Sequence, residues 1–225
     1  TILYFLNHLK RCILTKEVYY FYLNIIFWVV QGRRDDLMKL QNNNIEPFVW
    51  GHGERILEMF LEPTCPYSAK AFGKIDELVS EAGENQLKVI VRFQSQPWHL
   101  FSGIVIRAIL AASIMEDGRN KAISVMKAVF AHREDFEFID HCSGPNMAAT
   151  PNDIIRRIST LSGCDVSATF QHKNLQNQIK WQAKYARQNG IHVSPTFMID
   201  GVVAPKMSSG DNIEEWILEL ENFTK

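Results

Sequence analysis

Cys65-Pro66-Tyr67-Ser68 is the stretch of this sequence whose residue types and order could do chemistry. A cysteine after an apolar run and before a helix lies at the helix N-terminus. Unpaired N–H groups and the helix dipole favour an anion there. A thiolate is such an anion, and it is the nucleophilic form of cysteine. Pro66 suits the first helical position, where a missing N–H loses no partner. Ser68 stands one turn on, where its hydroxyl could reach the sulfur. It also stands where a second cysteine would complete a redox pair. The plain alternative is a thiol packed as a small buried hydrophobe.

Other polar residues cluster near this stretch in sequence. Glu62 precedes Cys65 by three residues. A carboxylate beside the thiol would oppose thiolate formation and could relay protons; the alternative is a surface glutamate at a strand end. Trp98 and His99, in "QSQPWHLFSG", could shape a substrate groove or simply pack a junction. His52, in "WGHG", reads as structural. His141 and Cys142, in "HCSGPNM", read as a loop, with no partner ligands at metal spacing.

The elements that position these residues follow from periodicity. "RILEMFLE", 55–62, is an apolar run of strand length. "PYSAKAFGKIDELVSEAG" places Phe72, Ile75, Leu78 and Val79 at helical spacing, up to Gly83. "LKVIVRF", 87–93, alternates as a strand. Strand, helix, strand is a βαβ unit with parallel strands and a right-handed crossover. Helices are expected over 102–115, 119–131, from Pro151 to Gly163 with Thr150 as N-cap, and over 167–189. "PTFMIDGVV" reads as a hairpin turning at Asp200-Gly201. Asp211 and Glu214 suggest a capping box for a last helix. The order is βαβ, helices, then ββα, an α/β class with a helical insert between two parts of one sheet.

Two stretches together resemble a known family. "FLEPTCPYS" at the first strand and helix, the helical insert and "VSPTFMIDG" resemble the DsbA-like branch of the thioredoxin superfamily, over about residues 50–223. The resemblance implies a thioredoxin-like fold with an inserted helical domain. The first part of the thioredoxin-like domain is 38–96, the insertion 97–189 and the second part 190–225. It implies Cys65 as nucleophile with Ser68 beside it, and Pro195 as the family's cis-proline. Pro66, Tyr67, Ser194, Pro195 and Thr196 would contact substrate. It implies thiol–disulfide oxidoreductase or isomerase activity on protein or small-molecule thiols and disulfides. The chain departs from the family at Ser68, which cannot resolve a mixed disulfide as a second thiol would. A C-x-x-S site can still form a mixed disulfide, which an outside thiol such as glutathione would release. Cys142 or Cys164 could act as a distant resolver, or simply be packed. The chain is also similar to the kappa-class glutathione transferases, although their motif begins with serine where this chain has Cys65. A glutathione-dependent transferase or isomerase, and a non-catalytic peptide-binding module, are the alternatives.

The totals set bounds. With 225 residues, 46% apolar and 22% charged, the chain is globular in class. Net charge is −1, which gives no electrostatic reason to expect nucleic acid. The four cysteines form no C-x-x-C, and neither a metal nor a bound cofactor is expected. Residues 1–37 read as an N-terminal extension. Its apolar stretch "VYYFYLNIIFWVV", 18–30, is shorter than the ~20 residues of a membrane span. If Met38 is the start, no signal segment precedes the domain and a cytoplasmic, reducing setting fits one active thiol. If residues 18–30 are a native signal segment, the protein is exported or periplasmic. Membrane attachment is expected only if residues 1–37 belong to it.

Overall fold

Alternation in "LKVIVRF" does what it predicts: Leu87, Val89, Val91 and Phe93 are buried on one face of a strand. A computed structural model of the chain describes residues 48–223. The extension 1–37, its apolar stretch 18–30 and Met38 lie outside the described residues. Five strands form one sheet: β1 (Phe48–Trp50), β2 (Arg55–Leu61), β3 (Leu87–Phe93), β4 (Thr196–Ile199) and β5 (Val202–Val203), in spatial order β1-β3-β2-β4-β5. β2 runs parallel to β3, with Leu57 opposite Val89, and antiparallel to β4, with Met59 opposite Phe197. β4 and β5 form the expected hairpin, turning through Asp200 and Gly201 at positive φ.

Among the described residues there are seven α-helices. α1 (Pro66–Phe72) and α2 (Ile75–Ala82) connect β2 to β3. α3 (Ser102–Ser113), α4 (Gly118–Ala131), α5 (Pro151–Ser162) and α6 (Leu175–Gln188) fall between β3 and β4, and α7 (Ile213–Asn222) ends the fold. This is the thioredoxin-like α/β architecture with helices inserted between β3 and β4.

The sheet has two differently built faces. Leu57, Met59 and Leu61 enter the main core with Val89, Val91, Phe197 and Trp216. Trp216 meets Phe197 edge-on at 5.1 Å, and its indole N–H donates to the Ser208 carbonyl at 2.8 Å. On the other face Phe60 and Met198 pack under Ala186 and Ile191 from the end of α6. Glu58 is buried there but fully paired. It accepts from Arg92 Nε and from the Tyr185 hydroxyl, each at 2.7 Å. The Arg92 guanidinium lies over the rings of Trp181 and Tyr185 at 4.9 and 5.3 Å. This polar pin fixes α6 to the sheet.

Several boundaries differ from the periodicity reading, each for a local reason. The helix expected over 66–83 breaks at Gly73-Lys74. Lys74 N–H bonds back to Ala71 O, and its ammonium reaches across to the carbonyls of Ser209 and Asp211. The helix expected over 167–189 begins only at Leu175. Arg107 takes the Phe170 and His172 carbonyls, at 2.7 and 3.1 Å, that a continuous helix would use. Gly118 opens α4, one residue earlier than expected. It lies so close to the Ser113 carbonyl that a Cβ would fall 2.0 Å from that oxygen. The last helix is capped one residue later than expected, by the Asn212–Glu215 capping box. Three residues, Phe48–Trp50, are too short a strand for periodicity to find.

Trp216→Ala should lower stability by ~3–5 kcal/mol in urea unfolding, because it empties a fully buried site and strands the Ser208 carbonyl. Thr150→Ala, which removes the capping box on α5, should cost only ~1 kcal/mol.

Candidate active site

β2 ends in the core, and the chain leaves it through Glu62-Pro63-Thr64 to reach Cys65. Cys65 is the N-cap of α1, with extended backbone (φ −76, ψ 128), and Pro66 follows inside the helix. The Cys65 N–H is turned back to the Glu62 carbonyl at 3.1 Å. The thiol is buried, at 6% exposure, and its Sγ lies 3.8 Å from the Ser194 carbonyl oxygen. The Ser194–Pro195 peptide bond is cis. Thr196, on the far side of that bond, donates its hydroxyl to the Val193 carbonyl at 2.7 Å. The two stretches singled out in the sequence therefore meet, sulfur against backbone, at the ends of β2 and β4.

Ser68 does not hold the sulfur. Its hydroxyl is fully buried and accepts the Glu62 N–H at 3.1 Å. Ser68 thus ties the first turn of α1 to the end of β2, and its action on Cys65 runs through the backbone. Pro66 and Tyr67 are exposed, Tyr67 at 64%.

Glu62 is not a surface residue. Its carboxyl is completely buried, and Oε2 accepts from both the N–H and the hydroxyl of Thr64 at 2.8 Å. Oε1 and the nearby Ser102 hydroxyl are buried without a formed hydrogen bond. Burial pushes the Glu62 pKa from its ordinary 4.5 up to about 7, and the nearby Ser102 hydroxyl and the Thr64 donors offset only part of that. His99 lies on the same network: its Nδ1 is 2.9 Å from Thr64 Oγ1 and 3.7 Å from Glu62 Oε2. Burial, then the charges of His141 and Arg133, lower its pKa from 6.5 to about 4. Near pH 6, then, His99 and Glu62 are a neutral pair rather than an ion pair. Trp98, beside His99, is half-exposed at 48%.

Four participants escaped sequence reasoning. Thr64 joins Glu62 to His99, yet a threonine in a turn carries no signal of its own. Gln96, buried at the end of β3, donates to Ser194 Oγ at 3.4 Å. His141, read as loop, packs edge-on against His99 with ring centroids 5.4 Å apart. Glu137 places Oε1 3.7 Å from His99 Nδ1 while Arg133 holds its other oxygen at 2.9 Å. The last two come from the helical insertion, some forty residues downstream. Of the other thiols, Cys142 is exposed; Cys164 is buried against Met115, its Sγ 3.6 Å from Sδ. Among the described residues no three His, Cys, Asp or Glu side chains are grouped as metal ligands, and no helix is long and apolar enough to cross a membrane.

The architecture has clear relatives. A thioredoxin family model matches residues 53–219. A solved structure of a candidate protein-disulfide isomerase from Pseudomonas syringae shares 55% identity, covering 78% of this chain and 98% of that one, with a TM-score of 0.76. A thioredoxin-like oxidoreductase from Silicibacter pomeroyi shares 19% identity over 81% of this chain and 96% of that one, at a TM-score of 0.58. DsbA2 from Pseudomonas aeruginosa shares 14% identity over 79% and 96%, at 0.52. The last two share the fold. No curated protein is significantly similar to the chain.

The neutral network makes stability depend on pH in two opposing ways. Folded Glu62 keeps a proton that the unfolded chain has lost between pH 4.5 and about 7, so its contribution falls as pH rises through that window. Folded His99 lacks a proton that the unfolded chain holds between about 4 and 6.5, so its contribution rises with pH. Urea midpoints of the wild type should change little between pH 4.5 and 6.5. His99→Asn should expose the falling slope of Glu62, on the order of 2–3 kcal/mol. Glu62→Gln should expose the rising slope of His99.

Proposed function

The chain belongs to the thioredoxin family, and we propose that it is a DsbA-like thiol–disulfide oxidoreductase or isomerase working through the single thiol Cys65. The observation that carries this reading is the thiol at the N-terminus of α1, its sulfur against the Ser194 carbonyl of the loop before β4. A cysteine packed merely as a hydrophobe needs neither neighbour.

The reaction follows from that arrangement. The Cys65 thiolate attacks one sulfur of a substrate disulfide; a Cys65–substrate disulfide forms, and the other substrate sulfur leaves as a thiolate and takes a proton. Ser68 offers no second thiol, so the mixed disulfide persists until another thiol attacks it. That thiol is a second cysteine of the substrate or an outside thiol such as glutathione. Its attack expels the Cys65 thiolate and restores the enzyme. Each exchange breaks one S–S bond and makes one, so no electrons are left over. A substrate cysteine as the second attacker gives isomerisation, and an outside thiol that expels Cys65 leaves the substrate joined to it in a mixed disulfide. Net reduction takes two outside thiols: the first attacks the Cys65 sulfur and expels the substrate as a thiol, and the second attacks the resulting adduct, restoring the Cys65 thiol and leaving the two outside thiols joined as a disulfide.

Tyr67, Trp98, Leu100 and Val193 supply exposed apolar surface on the segments that meet around Cys65. That surface suits an extended protein chain laid beside the Ser194–Pro195 loop, with Thr196 and Pro66 at its edges. Protein disulfides are therefore the substrate class proposed, and glutathione is a co-substrate rather than a resident cofactor.

Brief exposure of the reduced chain to oxidised glutathione should add one glutathione at Cys65, read by intact mass and peptide mapping. Cys65→Ser should abolish that adduct, and an unmodified Cys65 in the wild type would defeat the reading. In Ser68→Cys the adduct should be short-lived, replaced by an internal disulfide 2 mass units below the dithiol. Persistence of the glutathione adduct there would show that position 68 cannot reach the sulfur.

A further inference from the structure

Ser194 lies between two residues that the sequence keeps far apart. Its carbonyl oxygen faces the Cys65 sulfur at 3.8 Å, and its hydroxyl oxygen accepts from Gln96 Nε2 at 3.4 Å. Gln96 reaches it from the neighbouring strand. The Gln94 N–H bonds to the Leu61 carbonyl at 2.9 Å, so the chain leaves β3 beside the end of β2, where the nucleophile turn begins. Two residues on, the Gln96 carbonyl accepts the His99 N–H at 3.1 Å in the turn toward α3. Gln96 is buried there, at 2% exposure.

Burying a primary amide is costly unless it is hydrogen-bonded. Among the described residues the Gln96 side chain makes one such bond, to Ser194. The two hydroxyls that flank Pro195 are used differently. Thr196 spends its proton within the loop, on the Val193 carbonyl at 2.7 Å. Ser194 only accepts: among the described residues nothing takes its proton. A hydroxyl that already accepts a bond is polarised and donates more strongly. Ser194 is half-buried, so its proton is open to a bound molecule.

We propose that Gln96 is a positioning residue for peptide recognition, holding the Ser194 hydroxyl so that its proton is left for a backbone carbonyl of the substrate chain beside Cys65. The inference rests on the reading of Cys65 as the working nucleophile. The Gln96 amide occupies the Ser194 oxygen as a donor and thereby selects the donor role of the hydroxyl. A cysteine within a peptide carries a backbone carbonyl a few bonds from its sulfur, whereas a non-peptide disulfide carries none. The site therefore favours disulfides borne on peptides, through a bond made outside the thiol itself. Gln96 acts on the substrate through Ser194.

The test compares two disulfides on the full reduced chain: oxidised glutathione, which carries peptide carbonyls, and bis(2-hydroxyethyl) disulfide, which carries none. Adduct formation at Cys65 is followed by intact mass and peptide mapping, and the readout is the ratio of the two rates. A merely structural role would change thiol reactivity or the amount of active protein, and both cancel in the ratio. Gln96→Met removes the amide at similar volume and should lower the ratio ~3–10-fold, the effect of one neutral hydrogen bond. Ser194→Ala should lower it by a similar factor. The double variant should fall no further than Ser194→Ala alone, because the two residues act as one unit. An unchanged ratio in Gln96→Met, or losses that multiply in the double variant, overturns the inference. If Gln96→Met does not fold, an unchanged ratio in Ser194→Ala overturns it. Glutathione capture at wild-type Cys65 with unmoved ratios sinks this inference alone, whereas no adduct from either disulfide sinks the reading beneath it.

Discussion

A buried carboxyl at the end of a central strand holds the nucleophile turn in shape. Removing a carboxylate from water costs several kcal/mol unless donors and countercharge replace it. Thr64 supplies two donors to one oxygen of Glu62, and no ion pair of this carboxyl with a Lys or Arg is seen among the described residues. The acid is therefore kept neutral, and a neutral acid can be buried with little penalty. Because β2 is flanked by β3 and β4, Glu62 cannot shift without disturbing the sheet. The rigidity of the sheet is thereby passed to Cys65 through four hydrogen bonds.

The same strand carries a second buried acid, and the contrast is instructive. Glu58 lies on the sheet face opposite the main core, where Arg92 and Tyr185 satisfy it fully. Burial together with the bond to Glu58 holds the Tyr185 hydroxyl well above its usual range. That pin, with the Gln182 carbonyl oxygen accepting the Phe93 N–H at 2.6 Å, anchors α6 at the end of β3. An insertion anchored there can return Glu137 and His141 to His99. One face of the sheet thus uses a paired acid to fix the helical insertion. At the end of β2 an unpaired acid shapes the turn that the insertion walls in.

Much of this was legible in the sequence because it depends on local pattern. The βαβ unit, the hairpin at Asp200-Gly201 and the N-cap at Thr150 each follow from residues within a few positions of one another. Cys65 was found for the same reason, since a thiol before a helix is a local signal, whereas Pro195 came from the family resemblance. What escaped was decided by contacts distant in sequence. The break at Gly73-Lys74 depends on carbonyls near residue 210, and the late start of α6 on Arg107. Thr64, Gln96, Glu137 and His141 join the site only because separate loops converge. Ser68 was placed correctly in the motif, but its hydrogen bond was assigned to the wrong partner. The backbone N–H of Glu62, six residues earlier, outcompetes a sulfur as its partner.

That bond bears on why serine stands at position 68. An oxygen accepts a buried N–H well, whereas a thiol sulfur is a weak acceptor. A cysteine there would leave the Glu62 N–H poorly satisfied inside the core, at a cost of ~1–3 kcal/mol. Serine thus stiffens the frame that holds Glu62, Thr64 and Cys65 in register, and it gives up an internal resolving thiol. On the proposed reading these are two sides of one choice. A dithiol site can release its substrate by closing its own disulfide. A monothiol site must hold the mixed disulfide until another thiol arrives, and it gains from a turn that keeps the reacting sulfur fixed. A rigid, serine-stapled turn suits repeated exchange at one sulfur better than one-way delivery of a disulfide.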